Sequence, residues 1–557
     1  MKEKLREILA RSAQKWAPLP PFEIERPKVK EHGELSTNLA MILAKTAKRN
    51  PKEVAQEIVS SLNDPEGIVE SVTVAGGGFL NFVLKKSAWQ KSLREIISQG
   101  EKFGYADEGK GKKVVVEFVS ANPTGPLHIG NARGGPLGDV MTRLLEMTGH
   151  QVTREYYIND VGGQIDKLGE SLLHWIRNEG NESATPPEGY QGEYVRELAR
   201  IAMEKLGDKI PGNEKEAALV LGQFGIDQML KEIRENCEEM GIRFDSWIHE
   251  EDILKKETPA ILDSLKNKNV TIEKEGAVWL ASQDEFLKDR ECVLIRSDGR
   301  PTYFANDIAY HVGKYKRGFD RIINVWGSNH HGHVPRIQAA MKCLDYDPDK
   351  IETVLYQYVR VKRGESAVKM SKRGGTFVTA REVLDEVGRD AFRFFLLMRA
   401  PESHLDFDLE LAKRHTQENP VYYVQYAHAR LAAIFRKAKE MGILESEGEG
   451  VRLALLDLEE EIEMIRMIRE YPEEVERAAS RLEPHRIPHY LLELTKLFQS
   501  YYTKAKEDPR YKVLSGDIDT SQAKMYLCRA LKLTLSQGLK LMGISAPDVM
   551  VQETTED

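Results

Sequence analysis

The chain has 557 residues, of which 41% are apolar and 30% charged. At about 150 residues per domain this length implies three to four domains, and the composition excludes collagen-like, low-complexity and wholly disordered classes. Lys plus Arg number 80 and Asp plus Glu 88, a net charge of −8, so any nucleic-acid partner has to be met by a local basic surface and not by the average field. Cys237, Cys292, Cys343 and Cys528 lie far apart, which rules out a CxxC knuckle and fits reduced, mostly buried thiols in the cytoplasm. The N-terminal MKEKLREILARSAQKW is amphipathic and lacks the apolar centre of a signal peptide. No apolar run approaches the roughly 20 residues that cross a bilayer, so no membrane partner is expected.

Taken in order, STNLAMILAKTAKR (36–49) carries apolar residues at helical spacing, and GGGFLNFVL (76–84) is a Gly-marked turn entering a strand. GEKFGYADEGKGKK (100–113) reads as a linker. KVVVEFV (113–119) is a Val-rich run of the kind that forms buried parallel strands. A Pro/Gly loop, a helix over 131–148 and a second strand, VTREYYI (152–158), complete a β-α-β unit. A second set comprises RIINVWG (321–327), a helix near 334–344 and TVLYQYVRV (353–361). About 160 residues separate the sets, which reads as an insertion between two halves of one sheet, with NEGNESATPPEGYQG (178–192) as a surface loop. Alternating strands and helices predict an α/β, doubly wound parallel sheet. Beyond about 380 the pattern turns helical at 420–438, 455–471 and 524–543, an all-α bundle, and the acidic VQETTED at the end is expected to fray. The expected domains are an N-terminal α+β domain (1–105), a catalytic domain (106–170 and 285–380), an insertion (171–284), a linking region (381–415) and the helical domain (416–557).

Two segments carry chemistry. ANPTGPLHIGNARGGPLGD (121–139) follows the first strand and opens the first helix, where exposed amides bind anions. Gly125 and Gly130 would let a phosphate approach the backbone, and His128 and Asn131 can donate hydrogen bonds without a fixed charge. It is neither a Walker loop nor GxGxxG, and alone the Gly pattern fits a capped connector equally well. VKMSKRGG (368–375) places Lys369 and Lys372 around Met370 and Ser371, a cationic loop suited to a departing polyphosphate. By itself it reads more readily as a solvated basic loop. The order of the two on one sheet is the specific feature.

This pairing resembles the HIGH and KMSKS signatures of the class I aminoacyl-tRNA synthetases, with Asn131 in the last HIGH position and Arg373 closing the loop. VEFVSANPTGPLHIGNARG, REYYINDVGGQI, PTYFANDIAYH, WGSNHHGHVPR and DAFRFFLLMRAPESHLDFDLELA, with NPVYYVQYAHARL and LMGISAPDVM, narrow the resemblance to arginyl-tRNA synthetases. HGELSTNLAM and GGGFLNFVL are similar to that family's extra N-terminal domain. The resemblance implies a Rossmann-like catalytic domain, with L-arginine, ATP carrying Mg²⁺, and arginine tRNA as partners, in a cytoplasmic monomer. It implies ATP contacts at Gly125, His128, Gly130, Asn131, His331 and the loop residues Lys369, Met370, Ser371 and Lys372. His128, Asn131, Lys369 and Lys372 would be the catalytic group.

Arginine is a five-donor fork that needs carboxylates and planar partners. Tyr303 and Asp307 are four apart, so in a helix they face the same way, as an ion pair plus stacking surface would need. By similarity Glu117, Ser120, Asn122 and His128 hold the arginine as well. The family places tRNA contacts at Phe79 and Asn81, at Tyr422 and Tyr426 and at Met550, although tyrosines packing the bundle explain the helix equally well. Phe82 is expected to point inward. His330, His331 and His333 have no nearby Cys or evident acidic partner, so no zinc is expected. The competing readings are another class I synthetase, a small HxGH nucleotidyltransferase, which would lack the helical tail, and a non-catalytic tRNA-binding paralogue, which would lose the signatures.

Overall fold

The computed structural model describes residues 1–27, 29–178, 189–281, 292–364, 366–367, 378–444 and 448–550. The chain forms two units. One comprises Met1–Phe103, Ala427–Tyr471 and Glu493–Gln537; the other comprises Gly104–Tyr426, Pro472–Leu492 and the chain from Gly538.

The second unit is built on a five-stranded parallel sheet. Its strands are β1 (Lys113–Phe118), β2 (Gln151–Ile158), β3 (Ser246–His249), β4 (Arg321–Gly327) and β5 (Ile351–Tyr356), in the spatial order β5-β4-β1-β2-β3. The order reverses beside β1, which puts the switch point of the doubly wound fold between β1 and β4. Val114, Val115, Val116 and Phe118 of β1 are buried, as expected of a strand covered on both faces. Helix α1 (Ile129–Ala132) and helix α2 (Gly134–Met147) follow β1 across the Arg133 junction.

Helix α2 lies so close to β1 that a Cβ on Gly138 would stand 2.2 Å from the Phe118 ring. Gly138→Ala is therefore expected to destabilise this unit by about 1–3 kcal/mol through overpacking, against the usual gain from placing Ala in a helix. A urea-unfolding midpoint equal to or above that of the parent would show that α2 does not sit this tightly.

Three sequence expectations change. The run 353–361 is two strands in two sheets: β5 ends at Tyr356, and Val359–Arg363 pairs in parallel with Leu405–Asp408. The break has a cause outside the run. The Gln357 amide donates to the Pro401 carbonyl (2.9 Å), and its own carbonyl accepts from the buried Arg133 guanidinium (2.8 Å), so the ladder with β4 cannot continue. The insertion also supplies β3, the edge strand of the sheet. Finally, Ser36 and Thr37 belong to strand Leu35–Thr37 and the helix starts only at Leu39, because these two residues pair with Asn81 and Leu80 of the neighbouring strand.

In the first unit, strands Ile24–Glu25, Leu35–Thr37, Phe79–Leu84 and Val69–Ala75 form an antiparallel sheet in that order. It shares the unit with the helical segments near the chain's other end. Gln90 Nε2 donates to the Leu456 carbonyl at 2.7 Å, Lys86 Nζ to the Asp457 carbonyl at 2.8 Å, and Arg466 pairs with Glu34. Phe82 is fully buried in this sheet. Among the described residues no helix is long and apolar enough to cross a membrane.

Candidate active site

The carboxyl ends of all five parallel strands open into one cleft of about 1550 Å³. Glu117 comes from β1, Asn159 follows β2, Glu250 follows β3, Trp326 and Gly327 close β4, and Tyr356 ends β5. Open α/β sheets place their ligands at this edge. The volume exceeds the roughly 300–1,000 Å³ of a single small-ligand pocket and leaves room for two ligands side by side.

The turn leaving β1 is strained. Val119 and Ser120 both have left-handed backbones, with φ of 66° and 37°, a conformation that a β-branched residue rarely adopts. It is held in place: the Ser120 amide donates to the Phe118 carbonyl (3.0 Å), and Ser120 Oγ accepts from the Tyr157 amide (3.1 Å). The turn brings Ser120, Asn122 and Gly125 to the cleft wall. His128 then caps α1, its Nδ1 accepting from the Asn131 amide at 3.1 Å. That bond assigns the hydrogen of the neutral ring to Nε2. His128, Gly130 and Asn131 all line the cleft, and a Cβ on Gly130 would come within 3.0 Å of the His128 ring.

Lys369, Met370, Ser371 and Lys372 lie outside the described residues. The chain immediately after them is stitched to the histidine segment. The Ile129 amide donates to the Val378 carbonyl (3.0 Å) and the Ala380 amide to the Leu127 carbonyl (2.7 Å), with His128 and Thr379 bridged. Thr379 forms a capping box with Glu382 at the start of the helix Ala380–Leu397.

The floor of the cleft is a chain of polar contacts on helix α3 (Tyr303–Lys316) and strands β1 and β4. Buried Lys314 Nζ donates to Glu117 Oε2 (2.8 Å) and Asn324 Oδ1 (3.0 Å), and Trp326 Nε1 donates to the other Glu117 oxygen (3.3 Å). Lysine can only donate, so Asn324 must present Nδ2 to His311 Nε2 at 3.0 Å. His311 Nδ1 faces the Asp307 carbonyl (2.8 Å) and Asp307 Oδ1 (3.2 Å). Asp307 Oδ2 is bonded to His333 Nε2. Burial works against the Asp307 charge, but the His311 and His333 rings outweigh it and hold the carboxyl well below the usual carboxylate range. Tyr303, one turn before Asp307, is 61% exposed and lines the same cleft, its ring centroid 5.8 Å from that of His333.

Two expectations about the histidine run need correction. His331 is exposed and is not on the cleft wall, which His330 and His333 line instead. The run does have an acidic partner, because folding brings Asp307 onto His333. Among the described residues no group of three or more His, Cys, Asp or Glu side chains is arranged to hold a metal ion.

Family models match along nearly the whole chain: the arginyl tRNA synthetase N-terminal domain over residues 1–84, the class I tRNA synthetase (R) catalytic domain over 92–399, and the DALR anticodon-binding domain over 424–550. The arginine–tRNA ligase of Syntrophotalea carbinolica is 44% identical over 99% of this chain and 100% of its own. That of Carboxydothermus hydrogenoformans is 43% identical over 95% of this chain and 94% of its own. The chain belongs to the arginyl-tRNA synthetase family. A structure from Campylobacter jejuni described as a putative arginyl-tRNA synthetase superposes with a TM-score of 0.73 at 33% identity, over 84% of this chain and 100% of that one. The Thermus thermophilus arginyl-tRNA synthetase, at 24% identity, shares the fold with a TM-score of 0.77 over 99% of this chain and 100% of that one.

The positions expected to face tRNA fall unevenly. Phe79 is 42% exposed at its strand end. Asn81 is buried, and its Oδ1 accepts from Ser36 Oγ at 2.7 Å, so its side-chain oxygen is engaged within the sheet. Tyr422 is buried between His415 and Tyr426, with ring centroids 6.1 and 5.9 Å away, because helix Pro420–Glu440 turns that face inward; Tyr426 is only partly covered. Met550 is the last described residue and partly exposed.

Several wall residues carried no sequence signal. Tyr190, Gln191 and Tyr194 reach the cleft from the insertion. Tyr194 donates to the Thr124 carbonyl at 3.0 Å, and its ring would lie 3.1 Å from a Cβ on Gly125. Tyr157, Glu250 and Trp326 were likewise not among the expected site residues.

Proposed function

We propose that the chain activates L-arginine with ATP to arginyl-adenylate and transfers the arginyl group to the 3′-terminal adenosine of arginine tRNA. The observation that carries this reading is a single cleft with a histidine-capped helix start on one wall and the carboxylates Glu117 and Asp307 on its floor.

In the first step the arginine carboxylate attacks the α-phosphorus of ATP, forming the mixed anhydride as the bond to pyrophosphate breaks. No protein nucleophile is needed, and catalysis is positioning and charge stabilisation. Arginine lies over the floor, its guanidinium toward Asp307 and Tyr303 and its α-amino group toward Glu117, Ser120 and Asn122. His128 Nε2–H and the Asn131 side chain donate to ATP oxygens, and Lys369 and Lys372 balance the charge of the departing pyrophosphate. Mg²⁺ travels with ATP and keeps phosphate and water ligands. In the second step a ribose hydroxyl of the terminal adenosine, the 2′-hydroxyl in a class I enzyme, attacks the adenylate carbonyl and AMP leaves. Residues 1–105 and 416–557 serve the tRNA in this reading, with Phe79, Tyr426 and Met550 the better-presented contacts.

A panel of amino acids in ATP–pyrophosphate exchange, with and without arginine tRNA, tests this. Exchange is expected with arginine alone among the amino acids, and only when tRNA is present. Equal exchange with any other amino acid, or none with arginine and tRNA together, would sink the reading.

A further inference from the structure

We propose that Lys314 is a positioning residue for the amino acid: a buried cation that orients Glu117 directly and Asp307 through Asn324 and His311, and so sets the spacing of these two carboxylates on the cleft floor. This rests on the reading of the cleft as an arginine site.

Asp307, His311 and Lys314 stand at i, i+4 and i+7 of α3 and therefore share one face of it. Asn324 of β4 and Glu117 of β1 are register partners in the parallel sheet. Hydrogen bonds join the helix face to the strand pair as one ladder. Asp307 meets His311, His311 meets Asn324, and Lys314 Nζ donates to both Asn324 Oδ1 and Glu117 Oε2. His311, Lys314 and Asn324 have no exposed surface, whereas the carboxylates at the two ends of the ladder line the cleft.

The ammonium is directed at the carboxylate in the cleft and not at the one behind it. Its Nζ lies 2.8 Å from Glu117 Oε2 and 4.1 Å from the centroid of the Tyr310 ring, a cation–π contact that brings no counter-charge. Glu155, the register partner of Glu117 on β2, is fully buried and does not line the cleft. It has a cation of its own: Arg317 donates to both of its oxygens, and Tyr310 Oη donates to one of them at 2.8 Å.

A buried ion pair seldom stabilises a core more than apolar residues of the same volume would. What this one supplies is direction. One ammonium fixes where Glu117 Oε2 and Asn324 Oδ1 lie, the Trp326 indole holds the other Glu117 oxygen at 3.3 Å, and the Asn324 amide then orients His311 behind Asp307. Two carboxylates discriminate a substrate by length only when their separation is fixed. Carboxylates free to move independently would follow a longer or shorter side chain.

TRNA-dependent pyrophosphate exchange by the full chain, with L-arginine and with L-homoarginine, which is one methylene longer, tests the proposal. Lys314→Met keeps most of the stem and removes the ammonium. It should raise the KM for arginine about tenfold or more and leave the KM for ATP within about twofold. It should also narrow the preference for arginine over homoarginine, for which one methylene commonly gives about 10- to 200-fold. Because Lys314 acts through the carboxylates, its effect on kcat/KM for arginine should shrink to less than about threefold when Glu117→Gln is already present. Asn324→Leu keeps the ammonium, cuts the bridge to His311, and should narrow the same preference. An arginine KM within about twofold of the parent in Lys314→Met overturns the proposal, as do equal rises in the arginine and ATP KM values. So does an unchanged preference over homoarginine in both variants. An effect of Lys314→Met that is as large with Glu117→Gln as without it also overturns the proposal, since a merely structural lysine would behave that way. Should Lys314→Met not fold, the preference measured in Asn324→Leu decides. If the parent exchanges no pyrophosphate with arginine, it is the functional reading that fails.

Discussion

Asp307→Asn is expected to raise the KM for arginine by about 30- to 700-fold in tRNA-dependent pyrophosphate exchange, and to leave the KM for ATP within about twofold. The range corresponds to about 2–4 kcal/mol, the usual cost of removing the charged partner of a buried cation. The side chain it replaces is ionised on physical grounds: His311 and His333 hold its pKa well down despite burial. An amide of the same shape can still accept from one of these rings through its oxygen. Its NH₂ group then meets the other ring, and also faces the guanidinium with donors where an acceptor is needed. The alternative is that Asp307 chiefly anchors the two histidines. That view predicts a lower melting point and parallel losses for arginine and ATP, because His333 and Trp326 share the wall on which β4 ends. Measuring both KM values beside a thermal melt separates the two.

What the sequence disclosed and what it concealed divide along one line: local patterns were legible and long-range pairings were not. The Val-rich 113–119 run announced a buried parallel strand because both faces of β1 are covered. Tyr303 and Asp307 were readable as one face because helical spacing is a local rule, and both do line the cleft. By contrast β3 is the four-residue Ser246–His249, whose residues are all only partly buried, so neither an apolar run nor an alternation marks it. Glu250 was hidden for the same reason: in His-Glu-Glu-Asp it reads as a solvated charge run, and only the pairing of β3 with β2 turns it inward. The end of β5 was invisible because its causes, Arg133 and Pro401, are distant in sequence. The acidic partner of His333 is likewise 26 residues away, and no spacing rule connects them. The union of the N-terminal segment with Ala427–Tyr471 in one unit rests on contacts such as Glu34 with Arg466, between charged residues that individually look like ordinary surface.

The largest stability effect is expected at Arg393, in a buried polar cluster away from the cleft. Its guanidinium is fully buried, donating from Nε to the Met542 carbonyl (2.6 Å) and from Nη1 to the Met240 carbonyl (2.8 Å), with Nη2 on Asp139. Three segments are thus tied at one point: helix α2, the end of the long insertion helix Glu214–Glu239, and the turn at Gly543. That turn has a φ of 69°, and a Cβ there would stand 2.7 Å from the guanidinium carbon. Arg393→Met fills much of the space but orphans two buried carbonyls and leaves Asp139 with only the partly exposed Arg143, 2.9 Å away. Breaking a buried pair from one side costs about 3–5 kcal/mol, and that loss should appear in the urea-unfolding transition of the full chain. Arg393→Met combined with Asp139→Leu removes the stranded charge as well, and should recover a substantial part of the loss. If Arg143 alone satisfies Asp139, the single variant will instead lose less than about 1 kcal/mol, in the range of ordinary surface pairs, and the double variant will be the less stable of the two. Because α2 is the direct continuation of the helix capped by His128, the first outcome carries a kinetic corollary. Pyrophosphate exchange by Arg393→Met should fall off at a lower temperature than the parent's, with its KM values unchanged below that point.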